Sequence, residues 1–461
     1  MLIRILPGMR ARGRGSAVHR RWPVVLPLAL MLASDYKLRS RPVGDTVGGS
    51  PDLTIFLEIA IYGMAALFLY LRFGLRPPTR RTTGLLFMGW TWAGYVALSA
   101  AWTPYLQLGV VRGVQMLITM AVAQVIATRA TVAELHRFAH AFIVVVIGSI
   151  VIGVVHPFPR THLTESRFNW LFVHPVIAGV YLALAVMLVV GYLVRPGDTA
   201  TRLWRTGTYL LCLAVLASAL IATGTRGAAL GCALGVVVLL ASVNGARGRA
   251  DLLVIGTASV IVGALAFSSA ILEFVQRGET SAKLMTLNSR TDLWSLALRA
   301  YGEEPIFGRG LGASRGLFLR DIGLGGGHNA FINALVDNGA VGTVIFTCLL
   351  LTLAAVLIDL ARRPATRRDA GLLLGILVCF LADGVTTEGL AAPANVSGIW
   401  LFVLIAWAET IRRTERDRSR SPGAGAGDPV SADPVPAAPP RSPDTEAPTA
   451  TPYGESLTAR S

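Results

Sequence analysis

Apolar runs of about 20 residues, separated by short polar turns, dominate the chain. They fall near residues 22–34, 53–71, 85–102, 106–127, 138–155, 171–194, 206–222, 228–242, 252–270, 334–358, 370–387 and 395–411. A run of that length matches the hydrocarbon core of a bilayer, where only a helix or a closed barrel satisfies the backbone. The pattern predicts an all-α polytopic membrane protein with about twelve transmembrane helices over residues 22–411. The flanks differ. Residues 1–21 carry Arg4, Arg10, Arg12, Arg14, Arg20 and Arg21 ahead of the first apolar run. That outline resembles a signal peptide, but no small-x-small cleavage site stands out, so it reads as a basic cytoplasmic N-terminus before a short first span. Residues 412–461 are first basic, then rich in Pro, Ala, Ser and Gly. Such a composition buries too little surface to fold and predicts a disordered cytoplasmic tail.

Charge then sets the orientation. Arg72, Arg76, Arg80 and Arg81, then Arg129 and Arg137, Arg195, Arg202 and Arg205, Arg247 and Arg249, and Arg362, Arg363, Arg367 and Arg368 occupy alternate connections. Basic residues are retained on the cytoplasmic side, so these connections are inner and both termini are cytoplasmic. The outer connections become 35–52, 102–105, 156–170, 223–227, 271–329 and 389–394. The longest, 271–329, has structure of its own. Ser289-Arg290-Thr291-Asp292 has the form of a capping box, and Leu293, Trp294, Ala297, Ala300 and Tyr301 recur at helical spacing until Glu304-Pro305. A short surface helix is expected there, with Trp294 and Tyr301 at headgroup depth.

Composition agrees with this picture. The 461 residues are 53% hydrophobic and 15% charged, with mean hydropathy +0.58, too apolar for a soluble domain of this length. A net charge of +15 raises the question of nucleic acid. Membrane orientation explains it better, because the basic residues sit in the turns, and no nucleic-acid partner is expected. Cys212, Cys232, Cys348 and Cys379 lie inside apolar runs without metal-ligand spacing and read as packing residues.

Against that background, Arg and His on the outer side need a local reason. Arg226 stands in Thr223-Gly224-Thr225-Arg226-Gly227, a turn too short to carry its guanidinium away from the membrane boundary. A planar, permanent cation suits diphosphate oxygens, although an Arg at a helix end also snorkels. Arg290 opens the surface helix, and Arg167 lies in Glu165-Ser166-Arg167-Phe168-Asn169-Trp170, shortly before His174-Pro175. Each taken alone reads first as a solvated loop charge, with Glu165 and Asp292 as nearby partners. His328 follows Gly325-Gly326-Gly327 and leads into an apolar segment, a placement that suits either a general base or a structural imidazole. Asp337, within Asp337-Asn338-Gly339, either orients a site or breaks the helix. Glu58, Arg112 and Asp383 fall inside apolar runs, where charges usually pair internally. Arg112 alternatively reaches up to a lipid-linked substrate. Signatures for phosphate loops, dinucleotides, His-Glu-x-x-His zinc sites and Gly-x-Ser-x-Gly nucleophiles are missing from the chain.

Several of these stretches together resemble one family. The Thr-Gly-Thr-Arg-Gly turn, Asn288-Ser289-Arg290-Thr291-Asp292-Leu293-Trp294, Pro305 through Gly312, and His328 through Gly342 look like the O-antigen ligase and polysaccharide polymerase superfamily. The likeness is strongest from 206 to 388, and residues 34–39 and 52–63 resemble exopolysaccharide polymerases of that group. The resemblance implies a GT-C-like membrane glycosyltransferase that uses a polyprenyl-diphosphate-linked glycan as donor and a glycan or lipid as acceptor. It implies no cofactor, metal or nucleotide sugar, and leaves room for polysaccharide-assembly partners. By the same resemblance Arg226 and Arg290 hold the diphosphate, with Arg167 a weaker addition, and His328 activates the acceptor hydroxyl. Asp337 stands where relatives often have Glu. A transporter of lipid-linked sugars is the alternative of another class; it would call for polar groups deep in many helices.

Overall fold

A computed structural model of the chain describes residues 21–36, 52–74, 83–157, 167–172, 174–194, 199–244, 290–323 and 326–420. Among them are thirteen helices and no strand. In order they are α1 (Trp22–Asp35), α2 (Leu53–Phe73), α3 (Gly84–Ser99), α4 (Leu106–Arg129), α5 (Val132–Val155), α6 (Pro175–Leu193), α7 (Thr199–Ala222), α8 (Arg226–Val243), α9 (Arg290–Glu303), α10 (Ala313–Ile322), α11 (Ala330–Arg362), α12 (Arg367–Gly384) and α13 (Val396–Arg420). The apolar run at 252–270, the basic residues 1–20 and the tail 421–461 lie outside the described residues.

Helices α2, α4, α5, α6, α7, α8 and α11 are long and apolar enough to cross a membrane. The chain is a polytopic membrane protein, all-helical among the described residues. Four other expected spans are helical but differ from these seven: α1 has 14 residues and α3 has 16, while α12 and α13 begin or end in charged residues. One boundary moves. Helix α13 continues through 412–420, where the composition predicted the tail to begin. Local pairing accounts for this: Arg412 bridges to Glu409 at 2.8 Å, Arg363 to Glu415 at 2.8 Å, and Arg413 donates to the carbonyls of Ala127 and Ala130.

Polar residues mark the starts of several helices. Asp52 accepts from Ile55 N, Thr131 and Glu134 form a capping box, and Asn329 accepts from Phe331 N and Ile332 N, each satisfying amides that have no partner within the helix. The centre is built on α6 and α13. Helix α6 is apolar on every side, as is most of the Val396–Ala408 part of α13, and nearly all of α6 and all of Val396–Ile411 are buried. On α13, Trp400 lies 5.1 Å from Phe138 and 5.2 Å from Phe142 between ring centroids. Outside this core, large apolar side chains such as Leu71, Val144, Val155 and Leu211 lie on the surface, as a lipid-facing exterior requires.

Helices α8 and α12 make the closest pairing. A Cβ added to Gly235 would lie 2.5 Å from the Gly375 carbonyl, and one added to Gly375 would lie 2.6 Å from the Gly235 carbonyl. Gly227, Gly231 and Gly235 recur every four residues on the face of α8 that meets α12. Small residues at that spacing let two backbones approach where lipid supplies no hydrophobic drive for association.

Helix α11 is interrupted at Gly339, with φ 63° and ψ −166°, a conformation that essentially only glycine adopts. The break is filled by the segment Pro305–Leu311. Arg309 N and Gly310 N donate to Val336 O and Asp337 O, while Ala340 N and Val341 N donate to Pro305 O and Ile306 O, at 2.8–3.1 Å. These four groups would have paired with one another in an unbroken helix. The Tyr95 hydroxyl donates to Asn338 O at 2.8 Å and Trp102 Nε1 to Gly308 O at 3.1 Å. Irregular backbone at membrane depth is tolerable only when buried and satisfied in this way.

The stretch 290–323 holds two helices where one was expected. Leu293, Ala297 and Ala300 of α9 are buried against Leu317 and Phe318 of α10 and Val336 of α11. The apolar stripe of α9 is therefore covered by protein. The capping box expected at Ser289 lies outside the described residues.

Candidate functional site

Three helix starts and one helix end meet at one end of the bundle. Helix α6 begins at Pro175, whose missing N–H and fixed φ suit the first helical position. His174 caps it, and its Nδ1 accepts from Val176 N at 3.2 Å. Just before it, Asn169 and Phe172 close a tight turn, with Phe172 N donating to Asn169 O at 2.8 Å. Trp170 packs this turn onto α5, where a Cβ on Gly153 would come within 2.7 Å of the Trp170 Cα.

The start of α8 is bound to this segment. Arg167 Nε donates to Thr223 O at 2.7 Å and its Nη2 to Thr225 Oγ1 at 3.0 Å. Phe168 N donates to Ala222 O at 3.1 Å, and Thr225 Oγ1 donates to Pro175 O at 3.1 Å. The turn preceding Arg226 is thus clasped between Arg167 and the start of α6. Arg226 itself is half-buried at the first position of α8.

The end of α12 links this turn to His328. On one side, a Cβ on Gly227 would collide with Thr386 Oγ1 and lie 3.2 Å from Asp383 Oδ1. On the other, a Cβ on Gly384 would lie 3.6 Å from the Phe331 ring and 3.7 Å from Ala330. Those two residues open α11, directly after His328 and Asn329. His328 is half-buried and holds φ 49°, in the left-handed region. Electrostatics link the elements as well. Burial pushes His174 down from 6.5 to about 4, and the charges of Arg167 and His328 push it the same way. His174 is therefore neutral near pH 7.

A second polar group backs the His328 approach. Asn333 Nδ2 donates to Glu388 Oε2 at 3.0 Å, and the Glu388 carboxylate occupies the place a Cβ on Gly326 would take. Arg315 on α10 feels Glu388, which raises its pKa, and Arg112, which lowers it; burial has the largest effect and holds it below the ordinary value. Helix α10 is fixed by Asp337. With Gly312 at its cap position, α10 has no capping side chain of its own, and Asp337 accepts from Gly312 N at 3.2 Å and from Ser314 N at 2.6 Å.

Among the residues singled out from sequence, Arg167, the Arg226 turn and His328 are brought to one end of the bundle. Arg290 opens α9, whose next turn packs on α10 and α11; its side chain lies outside the described residues. Asp337 caps a helix that the sequence reading did not foresee. Arg112 pairs with Glu58 at 2.7 Å, and Gln115 bonds to both at 3.0 Å. Asp383 accepts from Thr387 Oγ1 at 2.8 Å. His174, Arg315 and Glu388 were not singled out. His174-Pro175 is a capping signature, and Gly312 and Gly323 bracket α10, so signals existed for the first two; Glu388 carries none.

Residues 211–347 match a family model described as O-antigen ligase, a span running from α7 through the break in α11. No curated protein matches the chain.

Proposed function

We propose, from the match of residues 211–347 to the O-antigen ligase model and the resemblance to the polysaccharide polymerases of that superfamily, that the chain transfers a glycan from a polyprenyl-diphosphate donor to an acceptor sugar hydroxyl, extending a polysaccharide. In this reading the acceptor oxygen attacks the anomeric carbon, the bond to the diphosphate breaks, and configuration inverts. His328 takes the hydroxyl proton. Arg226 and Arg290, with Arg167 bracing the turn and adding its charge, stabilise the departing diphosphate as negative charge grows on it. Fixed guanidinium groups need no reorganisation during the reaction and make a metal dispensable for this step. Membrane helices hold the lipid tail and lower the entropy cost of bringing donor and acceptor together. Asp337 contributes by fixing α10.

The observation that carries the reading is the clasp of Arg167 on the Arg226 turn, joined through the end of α12 to the start of the His328 helix. The placement of basic turns on alternate connections supports a twelve-span architecture in the plasma membrane, with both termini cytoplasmic and the site on the outer face; a GT-C-like fold is what the family resemblance implies. A ligase that passes the finished glycan to a lipid or protein acceptor uses the same chemistry, and the description of the matching family favours keeping it as the second reading.

The test is reaction of the purified protein with lipid-linked oligosaccharide. Lengthened lipid-linked product marks a polymerase, and transfer to a separate acceptor marks a ligase. His328→Ala, Arg226→Ala and Arg290→Ala are each expected to lower turnover by about a hundredfold or more, and a chelator is expected to leave turnover unchanged. Full transfer by well-folded variants would reject the assignment.

A further inference from the structure

The site holds two imidazoles, and the geometry around them divides their roles. His174 Nδ1 faces the N–H of Val176, 3.2 Å away. A backbone N–H can only donate, so Nδ1 is an acceptor and the ring proton of the neutral imidazole resides on Nε2. Among the described residues no acceptor for Nε2 is recorded. Burial chiefly keeps His174 neutral, and Arg167, whose guanidinium is anchored on the Arg226 turn, and His328 are near enough for their charges to act in the same direction. A ring so placed cannot serve as the base: Nε2 already carries a proton, and protonating Nδ1 would end the cap on α6.

Resting on the glycan-transfer reading above, we infer that His174 is a donor residue of the site, its Nε2–H directed at an oxygen of the bound diphosphate beside Arg167. The helix start fixes its tautomer and the Asn169–Phe172 turn fixes its position, so the donor is oriented before substrate arrives. Its bond strengthens as the anomeric bond breaks and charge collects on the phosphate oxygen, because a neutral donor in a poorly hydrated site responds to the charge on its acceptor. Proton transfer is left to His328. The contribution of His174 therefore falls on turnover more than on donor binding.

Residues that cap but do not reach as an imidazole does separate this role from simple capping. Ser, Asn and Asp are strong N-caps, so His174→Ser keeps α6 capped and removes the donor. Measured on purified protein with lipid-linked oligosaccharide, His174→Ser should retain the wild-type melting temperature, lose about tenfold to a hundredfold in kcat, and leave KM within about threefold. His174→Asn, which caps through Oδ1 and keeps an N–H donor on the same side chain, should recover part of the lost kcat. Wild-type kcat in His174→Ser would overturn the inference and reduce His174 to a cap, as would Ser and Asn variants whose only defect is a raised KM. If His174→Ser does not fold, the Asn variant decides through the same kcat and KM comparison. The parent reading fails separately, when wild-type protein does not transfer glycan or His328→Ala retains full turnover.

Discussion

Two polar clusters lie within this apolar bundle, and they are built on opposite plans. Between α2 and α4, Glu58, Arg112 and Gln115 satisfy one another: one cation, one carboxylate and one amide, with Glu58 almost fully buried. At the α6, α8 and α11 starts, Arg167 donates to a carbonyl and a hydroxyl, and its charge acts on the His174 imidazole, which also feels His328. The first arrangement cancels charge internally. The second ties a cation to the backbone of a turn, through the Thr223 carbonyl and the Thr225 hydroxyl. A buried charge is costly unless it is paired or used, so the first cluster is a structural ion pair, and the second is the one proposed above to receive an anion.

The largest effect is expected from opening the closed cluster. Arg112→Ala leaves the Glu58 carboxylate buried without its cation, which should cost about 3–5 kcal/mol. Thermal melting in detergent reads this directly. Replacing both members, Glu58→Leu with Arg112→Met, should restore most of the loss, because an apolar pair has no charge to leave uncompensated. Should Arg112→Ala melt like wild type and fail in glycan transfer, the two clusters are not different in kind and Arg112 belongs with the site.

A smaller effect should follow from loosening what supports the other cluster. Asp337→Ala removes the acceptor for Gly312 N and Ser314 N, at a cost of about 2 kcal/mol for the lost cap and the exposed donors. The damage should be local. Amides of 313–322 are expected to exchange faster with solvent while those of α6 and α13 keep their protection, and transfer should fall because α10 carries Arg315 toward Glu388. Asp337→Asn, which keeps an acceptor, should lie between the variant and wild type. Unchanged exchange across α10 would show that Asp337 does not hold it.

Local features were legible in the sequence where short-range rules apply. Capping by Asp52, Thr131 and Asn329, the run of α9 up to Glu304-Pro305, and the position of each described apolar helix follow from residues within a turn of the feature. The partners of Arg112 did not, because Glu58 stands 54 residues away and nothing in either segment names the other. The break in α11 was visible as Asp337-Asn338-Gly339, yet its partner Pro305–Leu311 read as a loop. Only the exchange of hydrogen bonds between them shows why a glycine is needed at both 308 and 339. The same long-range logic hid Asp337. A carboxylate seven residues into an apolar helix looks like an orienting group for that helix, whereas it caps a different one. The small-residue face of α8 was readable at its four-residue spacing and marks the tightest helix pair.

The subtlest consequence concerns protons. Above 6.5, His174 is neutral in both folded and unfolded chains and adds no pH dependence. As pH falls from 6.5 toward about 4, the unfolded chain takes up a proton on this ring and the folded chain does not, so stability declines with a slope of one proton. Below about 4 both states are protonated and the slope from this group ends. Melting curves from about pH 8 to pH 4 should therefore show wild type losing more stability than His174→Asn, by one proton across that window and by nothing above it. Parallel curves for the two proteins would mean that the ring is not shielded from protons in the folded state. The open cluster would then gain a second cation at mildly acid pH, which would erase the distinction between a neutral donor and the Arg charges beside it.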